Sequence, residues 1–121
     1  MLFRSDKRAP IIDVANGGSG VAFPATLAKA VAALKDIPRI IPGHAVSPPG
    51  SPVSRWITLA DLQEYADFNR DFLVAVRAAI AARRSAAEAA ATLSLPDRYK
   101  SYDMRQAKAN IEAIYKELGG Q

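Results

Sequence analysis

Arg39-Ile40-Ile41-Pro42-Gly43-His44 is a short β-branched run that ends at Pro-Gly and then delivers the chain's single histidine. Such a run reads as a buried strand carrying a side chain to the rim of a sheet, where open α/β sheets place their chemistry. Working back from it, Pro24 suits the first turn of a helix in which Leu27, Ala30, Val31 and Leu34 recur on one face, and Asp36 and Pro38 end that helix. Residues 1–23 read as irregular or extended, with Ile11, Ile12 and Val14 as a second short strand. Asn16-Gly17-Gly18-Ser19-Gly20 then allows backbone geometry that side chains would forbid.

Working forward, Gly43 to Trp56 is a loop with Pro48, Pro49, Gly50 and Pro52, longer than most structureless connections and of the kind that often carries function. Three helices are expected after it. Thr58 with Asp61 forms a capping box, and Leu59, Leu62, Ala66, Leu73, Val76 and Ile80 follow three-four spacing, with Asn69 interrupting and Phe68 and Phe72 widening the stripe. Glu64, Asp67, Arg70, Asp71 and Arg77 fall on the outer face. Ser85 with Glu88 caps a short alanine helix that Pro96 stops. Asp103 with Gln106 forms a third box, followed by a stripe of Met104, Ala107, Ile111, Ile114 and Leu118 and a Gly119-Gly120 stop.

Composition narrows the function classes. At 121 residues, half of them hydrophobic and 23% charged, the chain is one globular domain or a piece of one. Much of the apolar share is alanine, which favours helix but buries little area, so the core is thin. The absence of cysteine excludes disulfides and thiolate metal sites. No apolar run approaches the ~18–20 residues that span a bilayer, so no membrane partner is expected. Sixteen basic residues are scattered among twelve acids, for a net charge of +4, and no basic stripe flanked by aromatics points to nucleic acid. Arg4, Asp6, Lys7 and Arg8 interrupt any signal peptide at the start. The chain is expected to be soluble, either cytoplasmic or exported with a signal lost upstream.

Pro10-Ile11-Ile12-Asp13-Val14-Ala15-Asn16-Gly17-Gly18-Ser19, a helix with Leu27, then Ile40-Ile41-Pro42-Gly43-His44 and a long helix containing Tyr65, resembles the C-terminal part of metallo-β-lactamase-fold hydrolases. Many members carry Pro-Gly-His-Gly after a late strand, and that histidine is a metal ligand. The match here is Pro42-Gly43-His44-Ala45, with alanine replacing the usual glycine. The resemblance implies an incomplete αββα sandwich: one or two short strands followed by three mainly amphipathic helices. It divides residues 1–121 into a strand, helix, strand and loop part (1–57) and a helical part (58–121). The family signature His-x-His-x-Asp-His does not occur, because His44 is the only histidine. Leu2-Phe3-Arg4-Ser5 matches the translated end of a common sequencing adapter, so residues 1–5 are expected to be non-native, with the gene cut there.

The function the resemblance implies is that of a fragment. The intact hydrolase uses a dinuclear zinc site to direct hydroxide at an ester, amide, thioester or phosphoester. The fragment, lacking the N-terminal half of its domain, is expected to be inactive and to bind zinc weakly or not at all, since one ligand falls short of the three or four that hold it. On residue chemistry alone His44 is a loop histidine; the resemblance makes it the remaining metal ligand. Asp13 and Trp56 are pocket candidates, with capping (Asp13) and anchoring of the loop (Trp56) as their plainer roles. Asp36 reads as a solvated helix end. Asn16 to Gly20 reads as a turn rather than an anion nest. Tyr65, Tyr99 and Tyr102 read as packing residues with wet hydroxyls, and Ser47, Ser51 and Ser54 have no organised histidine–acid pair beside them. The rival class is a non-catalytic helical interaction module that buries its stripes in a dimer or a partner. In a fragment, the stripe of the long helix would be left open and promote self-association.

Overall fold

The helix starts are set by local chemistry. The Asp61 amide donates to Thr58 Oγ1 at 3.2 Å and the Thr58 amide donates back to the Asp61 carboxylate at 2.8 Å, and helix α2 (Leu59–Ala81) runs from this box. Ser85 and Glu88 make the same exchange at 3.2 and 2.7 Å to open α3 (Ala86–Thr92). Both boxes follow from their sequence pattern. The third does not form. Helix α4 (Ala107–Glu117) starts after Gln106 with no side-chain cap, because the Asp103 carboxylate accepts from the Arg105 amide and guanidinium instead. Helix α1 (Phe23–Ala33) begins with Pro24 in its first turn, where a missing N–H costs nothing. The computed structural model describes residues 7–40 and 57–119.

Helix α1 lies against α2, α3 against α4, and α4 against α2. Phe68, Val76, Ile111 and Ile114 are the largest side chains fully withdrawn from solvent. Around Phe68 the ring of Tyr102 stacks at 4.1 Å between centroids and Tyr99 meets it edge-on at 5.4 Å. This aromatic knot, reached through a 3₁₀ turn at Asp97–Tyr99, closes the face of α2 that the apolar stripe opens. The stripe is therefore covered within the chain. Phe68, Asn69, Phe72, Leu73, Val76 and Ala79 are buried, and Val74, at 60% exposed, lies outside the stripe.

The expected strands are not present among the described residues, and the chain there is helical rather than an αββα sandwich fragment. Val14–Asn16 coil into a 3₁₀ turn, capped by Asp13 and ended by Gly17 at φ +84°, and Ile11 faces solvent at 77% exposed. Ile40 does pair, in antiparallel fashion, with Ile57 through reciprocal hydrogen bonds of 2.8 and 2.7 Å, but as a single bridge. A second isolated bridge runs parallel between Arg8 and Asp103. Ile41, the rest of that expected strand, lies outside the described residues, and among the described residues a single bridged pair is no sheet.

Gly20 is required by close approach. A Cβ there would sit 2.6 Å from Ile114 Cγ1 and 3.0 Å from Ile12 Cδ1, so the loop before α1 presses its backbone directly onto α4. The Gly20 amide and the Ser19 hydroxyl both donate to the Glu117 carboxylate, which ties the last residue of α4 to the entry of α1.

Candidate functional site

Helix α2 sets Glu64, Asp67 and Asp71 along one side, at spacings of three and four. Read from sequence this side is a solvated outer face. The structure covers it. Lys7 Nζ reaches Glu64 Oε1 at 2.8 Å, Arg98 reaches Asp71 Oδ2 at 2.9 Å and Asp67 Oδ2 at 3.8 Å, and Arg70 bridges Asp67 and Asp71 at 3.0 Å each. Two tyrosines complete the row. The Tyr99 hydroxyl donates to Asp71 Oδ2 at 2.7 Å, and that of Tyr102 to Glu64 Oε1 at 3.4 Å. Their rings are buried as expected, but their hydroxyls meet carboxylates rather than water.

The electrostatics follow from these contacts. Partial burial alone would raise the Asp71 carboxyl, but hydrogen bonds from Tyr99, Arg98 and Arg70 outweigh it and hold the group below its usual range. Burial, then the hydrogen bond to Asp71, pushes the Tyr99 phenol up to about 12. Burial raises Tyr102 as well, with Glu64 adding to the shift. A phenol locked in its neutral form at pH 7 and already donating to a carboxylate is a poor proton shuttle. Every carboxylate of the row is engaged by a cation or a hydroxyl. The cluster is thus a clamp that joins the residues at 97–102 and the N-terminal segment to α2.

The described cavity nearest to a pocket is a groove of about 260 Å³ between α2 and α3, lined by Ala75, Val76, Ala79, Ala89 and Leu93 with Arg84 and Thr92 at its polar edge. The Arg84 guanidinium donates to Thr92 Oγ1 at 3.4 Å. Its lining hydroxyls, Thr92 and Ser94, have no histidine or carboxylate beside them in the groove, and Thr92 already donates to the Glu88 carbonyl, so the groove holds no catalytic constellation.

Of the residues predicted from sequence, Asp13 is exposed and its carboxylate accepts from the Asn16 amide at 3.2 Å and from Asn16 Nδ2 at 2.7 Å. It is a turn cap, and its backbone carbonyl accepts from Gly18. Asn16 to Gly20 forms a turn, as its glycines imply. Asp36 is exposed at φ +58°, beyond the end of α1. His44 and Trp56 lie outside the described residues, as do residues 1–5 and the three loop serines. Among the described residues no group of three or more His, Asp or Glu side chains is arranged to hold a metal ion. No described helix is long and apolar enough to cross a membrane.

Two functional roles escaped the sequence reading. The acidic side of α2 carried a usable signal, in that three carboxylates at helical spacing repel one another unless cations are supplied. Asn110 carried none. It is buried, and its side-chain amide donates to the Pro10 carbonyl at 2.7 Å, a partner a hundred residues away. Comparison with known proteins finds no matching family model, no similar curated protein and no similar solved structure.

Proposed function

We propose that this chain is the C-terminal portion of a metal-dependent hydrolase of the metallo-β-lactamase type, that His44 is its contribution to the zinc site, and that it has no hydrolytic activity alone. The observation that carries this reading is the Ile40–Ile57 bridge. It brings Ile40, which precedes Pro42-Gly43-His44 in the sequence, beside Ile57 at the entry to α2. That is the order the resemblance calls for: β-branched run, Pro-Gly-His, loop, capped helix with Tyr65. Zinc in the intact enzyme would supply a hydroxide near neutral pH. No step of the reaction is assigned to the described residues, which offer no ligand set for it.

The DNA upstream of Met1 tests this reading. The expected result is an in-frame extension encoding His-x-His-x-Asp-His, whose product binds zinc and loses hydrolytic activity on His44→Ala. A ribosome site directly ahead of Met1, or full activity of the His44→Ala protein, overturns it.

A specific observation favours a second reading, a self-standing helical module that covers its longest stripe itself and would meet a partner through another face. The stripe of α2 is covered within the chain, and no buried side-chain nitrogen or oxygen among the described residues lacks a hydrogen-bond partner. A domain that closes its own core can fold alone. Sedimentation and urea unfolding separate the two. A monodisperse species with one cooperative transition supports the module, and aggregation supports the fragment.

A further inference from the structure

Residues Lys7 to Pro10 are held like a bound peptide. Their backbone pairs in parallel with Asp103: the Asp103 amide donates to the Lys7 carbonyl at 2.8 Å, and the Ala9 amide donates to the Asp103 carbonyl at 2.9 Å. Side chains alternate about this pairing, as in any extended segment. Lys7 turns inward to Glu64 at 2.8 Å, with its ammonium 6.0 Å from the Tyr102 ring. Arg8 is exposed. Ala9 is inward again and 1% exposed, with room for a methyl group. Pro10 has no N–H to satisfy, and its carbonyl is taken by the buried Asn110 amide. Main-chain pairing plus pockets for alternate side chains is how sheet edges and grooves recognise extended peptides. Each of these contacts is made to residues 64–110, on the far side of the chain from the segment's own sequence neighbours.

We propose that Glu64, Tyr102, Asp103 and Asn110 form a recognition groove for an extended peptide of the pattern basic–any–alanine–proline, occupied in this chain by its own Lys7–Pro10 acting as a detachable strap. The groove reads a cation at the first position, a methyl at the third and a free carbonyl at the fourth. The second position faces solvent, with its charge felt by the Asp103 carboxylate. A partner carrying this pattern competes with the strap, and the covalent strap holds the advantage of an effective concentration of about a millimolar or more.

The experiment uses the whole chain carrying Ala9→Asp, which places a carboxylate where only a methyl fits and so releases the strap while leaving the groove intact. A fluorescent peptide with blocked ends and the sequence of residues 6–12 is titrated against it. Saturable binding is expected, at least tenfold weaker for the unmodified chain. It should be lost with aspartate at the peptide's alanine position and weakened several-fold by Glu64→Gln in the Ala9→Asp chain. Helicity by circular dichroism must persist in the Ala9→Asp chain. Global unfolding of that variant would show the strap to be an inseparable part of the core and overturn the proposal. So would a folded variant that ignores the peptide at millimolar concentration. An unmodified chain that sediments as a dimer would overturn it in favour of strap exchange between copies.

Discussion

Replacing Phe68 by alanine tests the packing argument most directly. The ring is completely buried, stacks on Tyr102 at 4.1 Å, and meets Tyr99 and Phe72 at 5.4 and 6.1 Å. Withdrawing such a side chain from water is worth about 2–3 kcal/mol. The lost ring pairs add about 1 kcal/mol, and the residual cavity brings the total to about 4 kcal/mol, within the range for buried Phe→Ala changes. That is a large part of the roughly 5–15 kcal/mol that holds a domain of this size folded. The assay is urea unfolding followed by helical circular dichroism, with Val74→Ala as the control on the same helix. Val74 is 60% exposed and its truncation should cost under about 0.5 kcal/mol. Phe68→Leu, which keeps most of the volume, should cost about 1–2 kcal/mol and remain measurable if the alanine variant does not fold. A Phe68→Ala cost below about 1.5 kcal/mol at unchanged denaturant slope, or one equal to that of Val74→Ala, would refute the claim that this aromatic knot is the centre of the core.

Gly20→Ala should destabilise by about 1–3 kcal/mol in the same assay, because the added methyl meets Ile114 at 2.6 Å, whereas an alanine tolerated without loss would mean the loop stands off from α4. Ser85→Ala should cost about 1 kcal/mol by uncapping α3, and loss of helicity confined to residues 86–92 by hydrogen exchange would show where it acts. Asp71 has its carboxyl lowered on folding, so its contribution to stability is present above the unfolded carboxylate value near 4 and fades as pH falls below it; Asp71→Asn should flatten the urea midpoint against pH in that acid range. Tyr99 is raised to about 12, so its contribution is complete below the unfolded value near 10 and is lost as pH climbs to about 12; tyrosinate absorbance should show late-titrating phenols, one of which is lost in Tyr99→Phe while that of Tyr102 remains.

The helices were legible because their signals are local. Thr58 and Asp61 are three residues apart, as are Ser85 and Glu88, and each box closes without help from elsewhere. The stripe on α2 named the buried face, including the polar Asn69, whose amide reaches back one turn to the Tyr65 carbonyl at 2.8 Å. Asp103 shows the limit of such reading. The pattern with Gln106 was present, but Arg105 took the carboxylate and the backbone was committed to Lys7 and Ala9, contacts a local pattern does not contain. For the candidate site, the sequence singled out His44, Asp13 and Trp56, and only Asp13 lies in view, as a turn cap.

From sequence alone this chain settles the starts of α2 and α3, its glycine turn before the first helix, and the apolar face of its longest helix, since each depends on groups within a turn of one another. Tertiary structure decided the fate of the β-branched runs, the covering of the acidic side of α2 by Arg98, Tyr99 and Lys7, and the burial of Ala9. A strand, an ion pair across elements or a docked segment needs a partner distant in sequence, and which partner arrives is fixed only when the whole chain competes for the same surfaces.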